Sequence, residues 1–434
     1  MTNHAGAGLG HHPAALRQRR AVALVVLAQW LGTSLWFSPS GAAAGLMAQL
    51  QIGSAAFGWL IAATQLGFIA GTLTFAATGA ADRFAASRIF AAASVAGALL
   101  NVALVTPGLG FDAVWVLRFG VGLCLAGIYP LGMKMIVQWV GGKPAAALGW
   151  LVGMLTLGTA MPHGLRAAGA NWPWEAIVAA SSVLALGGAA VVYLLGDGPH
   201  GPRRMTASAS GPAAAPVPAP APRTTTASRW GTLPQVFAVA EFRASALGYF
   251  GHMWELYAFL SVLPWLCASL AADWARHGGA AGGGVTGSVP PVALLSFAVI
   301  AVGCLGCIAG GQLSRRVGSA WVAAVALAGS GLMCLLYPLI PAEALLLRVA
   351  VLFVWGFCVV ADSPQFSAMS ARYCPPQWLG SALAAQNGIG FFITVISILI
   401  LSRAVPAWGA PAMWLLLPGP LLGLWAMRSL LGRV

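Results

Sequence analysis

The sequence predicts an all-α membrane protein: twelve spanning helices arranged as two six-helix bundles. Three observations lead there. First, 59% of the 434 residues are hydrophobic and only 7% are Asp, Glu, Lys or Arg, whereas a chain that coats itself for water keeps about 25% charged residues. Second, apolar stretches of about 20 residues, enough to cross ~30 Å of hydrocarbon, recur along the chain. Third, these stretches fall into two groups of six on either side of a Pro/Ala-rich interval. Seven Cys residues are no disulfide framework, and the short alternating segments of a membrane β-barrel are absent from the sequence.

The first group lies near 21–42, 57–79, 88–107, 112–138, 145–166 and 174–195. The second lies near 244–270, 290–312, 319–340, 344–370, 379–402 and 410–430. Gly, Pro and charge mark the breaks, as from Gly79 to Arg88 and from Arg315 to Gly318. Many segments are rich in Ala and Gly, whose small side chains let helices approach closely where lipid supplies no hydrophobic drive. The expected organisation is a tail (1–20), a bundle (21–195), a solvated linker (196–243) and a second bundle (244–434).

The formal net charge of +13 reflects sidedness rather than nucleic-acid binding. Arg17, Arg19, Arg20, Arg83, Arg88, Lys143, the linker arginines, Arg315, Arg316, Arg372, Arg428 and Arg433 fall on one side, while Arg166, Arg276 and Arg403 fall on the other. Positive charge gathers on cytoplasmic loops, so both termini and the linker are expected in the cytoplasm of a bacterial inner membrane. The first apolar run is too long for the core of a signal peptide.

The two halves repeat. Gly122, Cys124 and Pro130 in the fourth segment recur 234 positions later as Gly356, Cys358 and Pro364 in the tenth. Two six-helix units in the same orientation are a parallel duplication. After the second segment the chain reads Thr78-Gly79-Ala80-Ala81-Asp82-Arg83, followed by Arg88, and the mirrored loop reads Gly311-Gln312-Leu313-Ser314-Arg315-Arg316-Val317-Gly318. The first is similar to the Gly-x-Leu-Ala-Asp-Arg-x-Gly-Arg loop of the major facilitator superfamily, and Arg118-Phe119-Gly120-Val121-Gly122 resembles that family's fourth-helix Arg motif. Over nearly its whole length the chain resembles a secondary transporter of that superfamily. The tone is that of bacterial nitrate/nitrite or organic-anion porters, although the paired cavity arginines of nitrate porters are missing. The resemblance implies alternating access, with the first, fourth, seventh and tenth helices lining a central cavity. It also implies a gate at the loop motif, made by Asp82, Arg83, Arg88, Arg315 and Arg316, where charge near helix ends binds one conformation and releases another.

An ionisable side chain at the membrane centre costs about 2.5–3.5 kcal/mol or more, so each needs a reason. The polar residues gather on those four segments: Thr33, Ser34 and Trp36; Arg118, Tyr129 and Lys134; His252, Glu255 and Tyr257; Asp362 and Gln365. His252 and Glu255, three apart, share one helix face. Glu255 lies near mid-membrane at ~1.5 Å per residue and is the expected proton-coupling carboxyl, with Asp362 and Arg118 as partners in a relay. Lys134 and Asp362 occupy comparable depths on the paired fourth and tenth segments, where Lys134 could receive an anion. Gln386 and Asn387 offer uncharged ligands. The expected substrate site is therefore Thr33, Ser34, Trp36, Tyr129, Lys134, His252, Tyr257, Asp362, Gln365, Gln386 and Asn387.

These residues point to a secondary active, proton-coupled transporter of a small hydrophilic, anionic solute, acting as a monomer in the bilayer without a cofactor and without nucleic acid. An alternative is soft-metal transport, such as copper, through His252, Met253, Cys304 and Cys307. Another is a non-transporting receptor or assembly factor that reuses the scaffold. Enzymatic chemistry is not expected, since no nucleophile–base pair stands out. The Gly-rich stretches lack the Lys-Ser/Thr ending of a phosphate-binding loop.

Overall fold

The computed structural model describes residues 11–140, 145–200, 233–277, 291–375 and 379–432. Most of the expected linker, Lys143 and Arg433 lie outside these residues, as does the side chain of Asp82. Among the described residues twelve long helices run in chain order: α1 (His11–Thr33), α2 (Ser54–Thr78), α3 (Ala86–Val102), α4 (Phe111–Val140), α5 (Ala145–Ala168), α6 (Trp174–Leu195), α7 (Ala240–His277), α8 (Val292–Val317), α9 (Ser319–Leu336), α10 (Leu345–Ala361), α11 (Leu379–Trp408) and α12 (Pro418–Leu431). Ten spans among the described residues are long and apolar enough to cross a membrane. α1, which opens on Arg17, Arg19 and Arg20, and α5, which carries Thr156, Thr159 and His163, take the first and fifth places beside them. α1 begins and α12 ends on one face of the molecule, called here the terminal face; the other is the far face.

The duplication read from the sequence is visible in the packing. A Cβ on Gly122 of α4 would lie 2.0 Å from the Thr64 carbonyl oxygen of α2, and one on Gly356 of α10 would lie 2.1 Å from the Val299 carbonyl oxygen of α8. Each fourth helix thus crosses its second helix backbone to backbone at the same repeat position, which only glycine permits. Gly97 of α3 faces Cys124 of α4 just as Gly329 of α9 faces Cys358 of α10. Close small-residue contacts of this kind replace the hydrophobic drive that lipid does not provide.

Two expected spans are interrupted. α1 stops at Thr33, and turns over Ser34–Phe37 lead into a short helix, Ser38–Gly41. The tenth segment breaks at Asp362 between α10 and the helix Ser363–Tyr373. Pro364 explains that break, because it lacks the N–H that would bond the Val360 carbonyl. The freed carbonyl accepts the Cys307 thiol instead, at 3.3 Å. Non-helical backbone inside a membrane protein persists where buried partners satisfy it in this way. Pro130, the repeat partner of Pro364, sits inside an unbroken α4.

Candidate functional site

A narrow cavity of about 70 Å³ lies between the two bundles. α4 and α5 line one side with Tyr129, Thr156 and Thr159, and α7 lines the other with Tyr249, His252 and Tyr257. Ser363 and Ser367 follow the break in the tenth segment, and Asn387 and Phe391 come from α11.

At the cavity wall His252 meets the helix break. Its Nε2 lies 2.9 Å from the Ser363 hydroxyl, and its Nδ1 lies 2.9 Å from Asp362 Oδ1. The second approach is at ion-pair distance but off the line of a hydrogen bond, and both Asp362 carboxyl oxygens are without a hydrogen-bond partner among the described residues. Asp362 is fully buried and His252 almost so. A carboxyl thus stands beside an imidazole at a point where the helix has opened.

Aromatic rings close the cavity towards the far face. Trp36 from the α1 turn stacks on Tyr257 at 5.6 Å and on Phe391 at 5.9 Å between centroids, and Phe68 of α2 meets Phe391 at 4.4 Å. The cluster therefore joins both bundles. The seams between them are also tighter on that side. Cβ atoms built on Gly58 and Gly164 would come within 2.4 Å of Ser402 and 2.9 Å of Phe297, whereas one on Gly149, near the terminal face, would keep 3.8 Å from the Cys307 carbonyl.

A model of the Major Facilitator Superfamily matches residues 22–425. The chain belongs to that superfamily. A search of curated proteins returns no match. Among solved structures, a crystal structure of a mutant nucleoside transporter NupG is similar with a TM-score of 0.63 at 14% identity, covering 95% of this chain and 99% of that one. That likeness is one of fold. The twelve-helix architecture and a secondary transporter's scaffold follow from family membership.

Within this superfamily member the expected site residues separate into groups. Tyr129, His252, Tyr257 and Asn387 line the cavity, Asp362 stands behind His252, and Trp36 belongs to the aromatic closure. Gln365 and Gln386 are buried and do not line it. Thr33 and Ser34 serve packing: Thr33 Oγ1 donates to the Gln29 carbonyl at 2.7 Å, and Ser34 Oγ donates to the Ser181 carbonyl of α6 at 3.0 Å. Lys134 is directed elsewhere. Its ammonium donates to the Ala81 carbonyl in the loop after α2, beside the loop motif rather than in the cavity. Arg83, Arg88, Arg315 and Arg316 are exposed on the terminal face.

Glu255 also differs from expectation. Its Oε1 accepts the Trp355 indole N–H at 2.6 Å and its Oε2 accepts the Ser330 hydroxyl at 2.8 Å. The carboxyl is buried within the second bundle, stapling α7 to α9 and α10, and does not line the cavity. Arg118 is likewise committed. It donates to the Trp36 carbonyl at 2.7 Å, the Leu35 carbonyl at 3.2 Å and the Asn101 amide oxygen at 3.0 Å. It thereby holds the broken end of α1, which carries Trp36, and is no relay partner for Glu255. Of the soft-metal set, Cys307 donates to the Val360 carbonyl, and among the described residues no three His, Cys, Asp or Glu side chains gather as a cage.

Sequence reasoning missed Tyr249 and Thr156, although the three-residue spacing of Thr156 and Thr159 on an Ala/Gly-rich segment marks a polar face. It also missed Arg348, whose Nη1 meets Asp273 Oδ2 at 2.7 Å and whose Nη2 donates to the Ile340 carbonyl at 2.8 Å. This cation sits near the far end of α10 and adds to the few on that face.

Proposed function

We propose that the protein is a proton-coupled secondary active transporter working by alternating access, with His252 and Asp362 as the proton-exchanging pair and a small uncharged or cationic polar solute as cargo. One observation carries this: the buried Asp362 carboxyl, which lies at a helix break, against an imidazole that lines the space between the bundles. A proton arriving there changes the charge at the seam between two halves that must move apart. That is the coupling a proton-driven carrier needs, because a ligand shifts an equilibrium only through differential affinity for its two states.

The cargo class follows from the lining. Among the described residues the cavity presents tyrosine rings, hydroxyls, the His252 imidazole and the Asn387 amide between aliphatic side chains such as Leu155 and Leu256, with no Lys or Arg. Lys134 and Arg118, the cations that would have favoured an anion, are bound to backbone carbonyls outside it. Tyrosine faces instead suit a neutral ring or an amine. The closed aromatic seam towards the far face and the looser seam towards the terminal face support a state from which the cavity opens first on the terminal side. On the positive-inside pattern this is the cytoplasm.

The test is flux into proteoliposomes carrying the full chain, under an imposed proton gradient, with a radiolabelled nucleoside, an organic amine and an organic anion. The expected result is gradient-dependent uptake of the nucleoside or the amine. Uptake of the anion alone, uptake indifferent to the gradient, or binding of all three without movement would each overturn the proposal, the last in favour of a receptor.

A further inference from the structure

On the outer surface of the first bundle, α1 and α6 enclose a groove of about 650 Å³ at the terminal face. Arg17, Arg20, Ala21 and Leu24 line it from α1, and their spacing puts them on one helical stripe. Leu194 and Leu195 of α6 form the opposite wall, with Trp139 of α4 at the upper end. The groove thus has two guanidinium groups at its mouth and hydrocarbon walls below.

Three further features make it a built site. Gln18 Nε2 donates to the Val140 carbonyl at 3.0 Å, which fixes the first turns of α1 against the end of α4. The Arg17 guanidinium lies 5.8 Å from the centroid of the Trp139 ring, which sets its direction along the rim. Among the described lining residues there is no Asp or Glu. Below the rim Leu194 is 84% exposed and Leu24 38%, so the groove's lower part is apolar surface that water would penalise.

We infer that this groove binds one anionic phospholipid of the leaflet next to the terminal face, with its phosphate held by Arg17 and Arg20 and an acyl chain laid along Leu24, Leu194 and Leu195. Charge complementarity selects the headgroup, since basic pockets between membrane helices attract anionic lipid. The apolar walls select a molecule with a tail over a free anion. Arg19 lines a separate groove between α1 and α5, where it is the one cation among the described lining residues, so the paired site is the one on the α6 side.

The experiment uses the full chain in a nonionic detergent with phosphatidylglycerol bearing a photoactivatable acyl chain, the cross-linked residues being located by peptide mass spectrometry. Label is expected on the α1 and α6 segments, and it should fall about fivefold or more in R17Q/R20Q. The charge-matched R372Q/R428Q variant, altered in the second bundle, should label as the wild type does. Leu194→Gln, at an exposed position, should reduce acyl labelling with both arginines present, which guards against misfolding of the double variant. Equal labelling by the phosphatidylcholine analogue, undiminished labelling in R17Q/R20Q, displacement by inorganic phosphate alone, or a co-purified protein occupying the groove would overturn the proposal.

Discussion

α4 and α10 are repeats of one another, and they use their shared frame for opposite ends. Both cross a neighbour at a glycine, Gly122 or Gly356, and both carry a cysteine two residues later against a glycine of the preceding helix. Near its far end each also holds an arginine that grips backbone carbonyls, Arg118 on Leu35 and Trp36, Arg348 on Ile340. Towards the membrane centre they diverge. α4 runs unbroken through Pro130, whereas its counterpart opens at Asp362 ahead of Pro364 and sets a carboxyl against His252. The comparison teaches that duplication preserved the packing skeleton while titratable chemistry was concentrated in one half. The other half supplies rings and hydroxyls.

The sharpest way to break this contrast is Asp362→Asn. It keeps the shape and removes the proton, and gradient-driven uptake should fall about 100-fold or more, the low end of what a positioned proton-transfer group contributes. Arg118→Met addresses the other half. It removes the donor from the Leu35 and Trp36 carbonyls and from Asn101, and should cost about 3 kcal/mol or more, read as a lower melting temperature in detergent. Arg118→Lys should recover part of it. The paired substitutions Gly122→Ala and Gly356→Ala should each cost about 1–3 kcal/mol by forcing two backbones apart. Near-equal losses would sharpen the case for equivalent crossings, and a large difference would break it. The smallest effect is expected from Glu255→Gln. The amide still accepts one of the two hydrogen bonds from Trp355 and Ser330, so the loss should be about 1–2 kcal/mol, with coupling to the gradient retained.

The architecture was legible in the sequence because lipid imposes length and composition on every span, and because glycine at a backbone crossing is tolerated by no other residue. The repeat of Gly122 and Cys124 at Gly356 and Cys358 therefore carried packing information before any coordinate. The site was legible only in part. The cost of polar groups in hydrocarbon drew attention to the seventh and tenth segments, and in the structure His252 and Tyr257 line the cavity with Asp362 beside His252. Sequence position alone could not say which way a helix face turns. Glu255 lies only three residues from His252, yet it faces α9 and α10 while His252 faces the cavity. Lys134 sits a turn from the cavity residue Tyr129, but its long stem carries the ammonium to Ala81, as snorkelling side chains do. Pro130 and Pro364 look alike in sequence, and only tertiary partners such as the Cys307 thiol decide which one opens its helix.

The central claim, that the proton site is the His252–Asp362 pair and not Glu255, is tested most directly by comparing D362N with E255Q in proteoliposomes, using the nucleoside or amine that the wild type accumulates. Two rates are needed for each variant: accumulation driven by a proton gradient, and exchange of labelled for unlabelled solute at equal pH. D362N should lose the first and keep the second, while E255Q keeps both. Accumulation by D362N at the wild-type rate, or its loss in E255Q with exchange intact, would contradict the account.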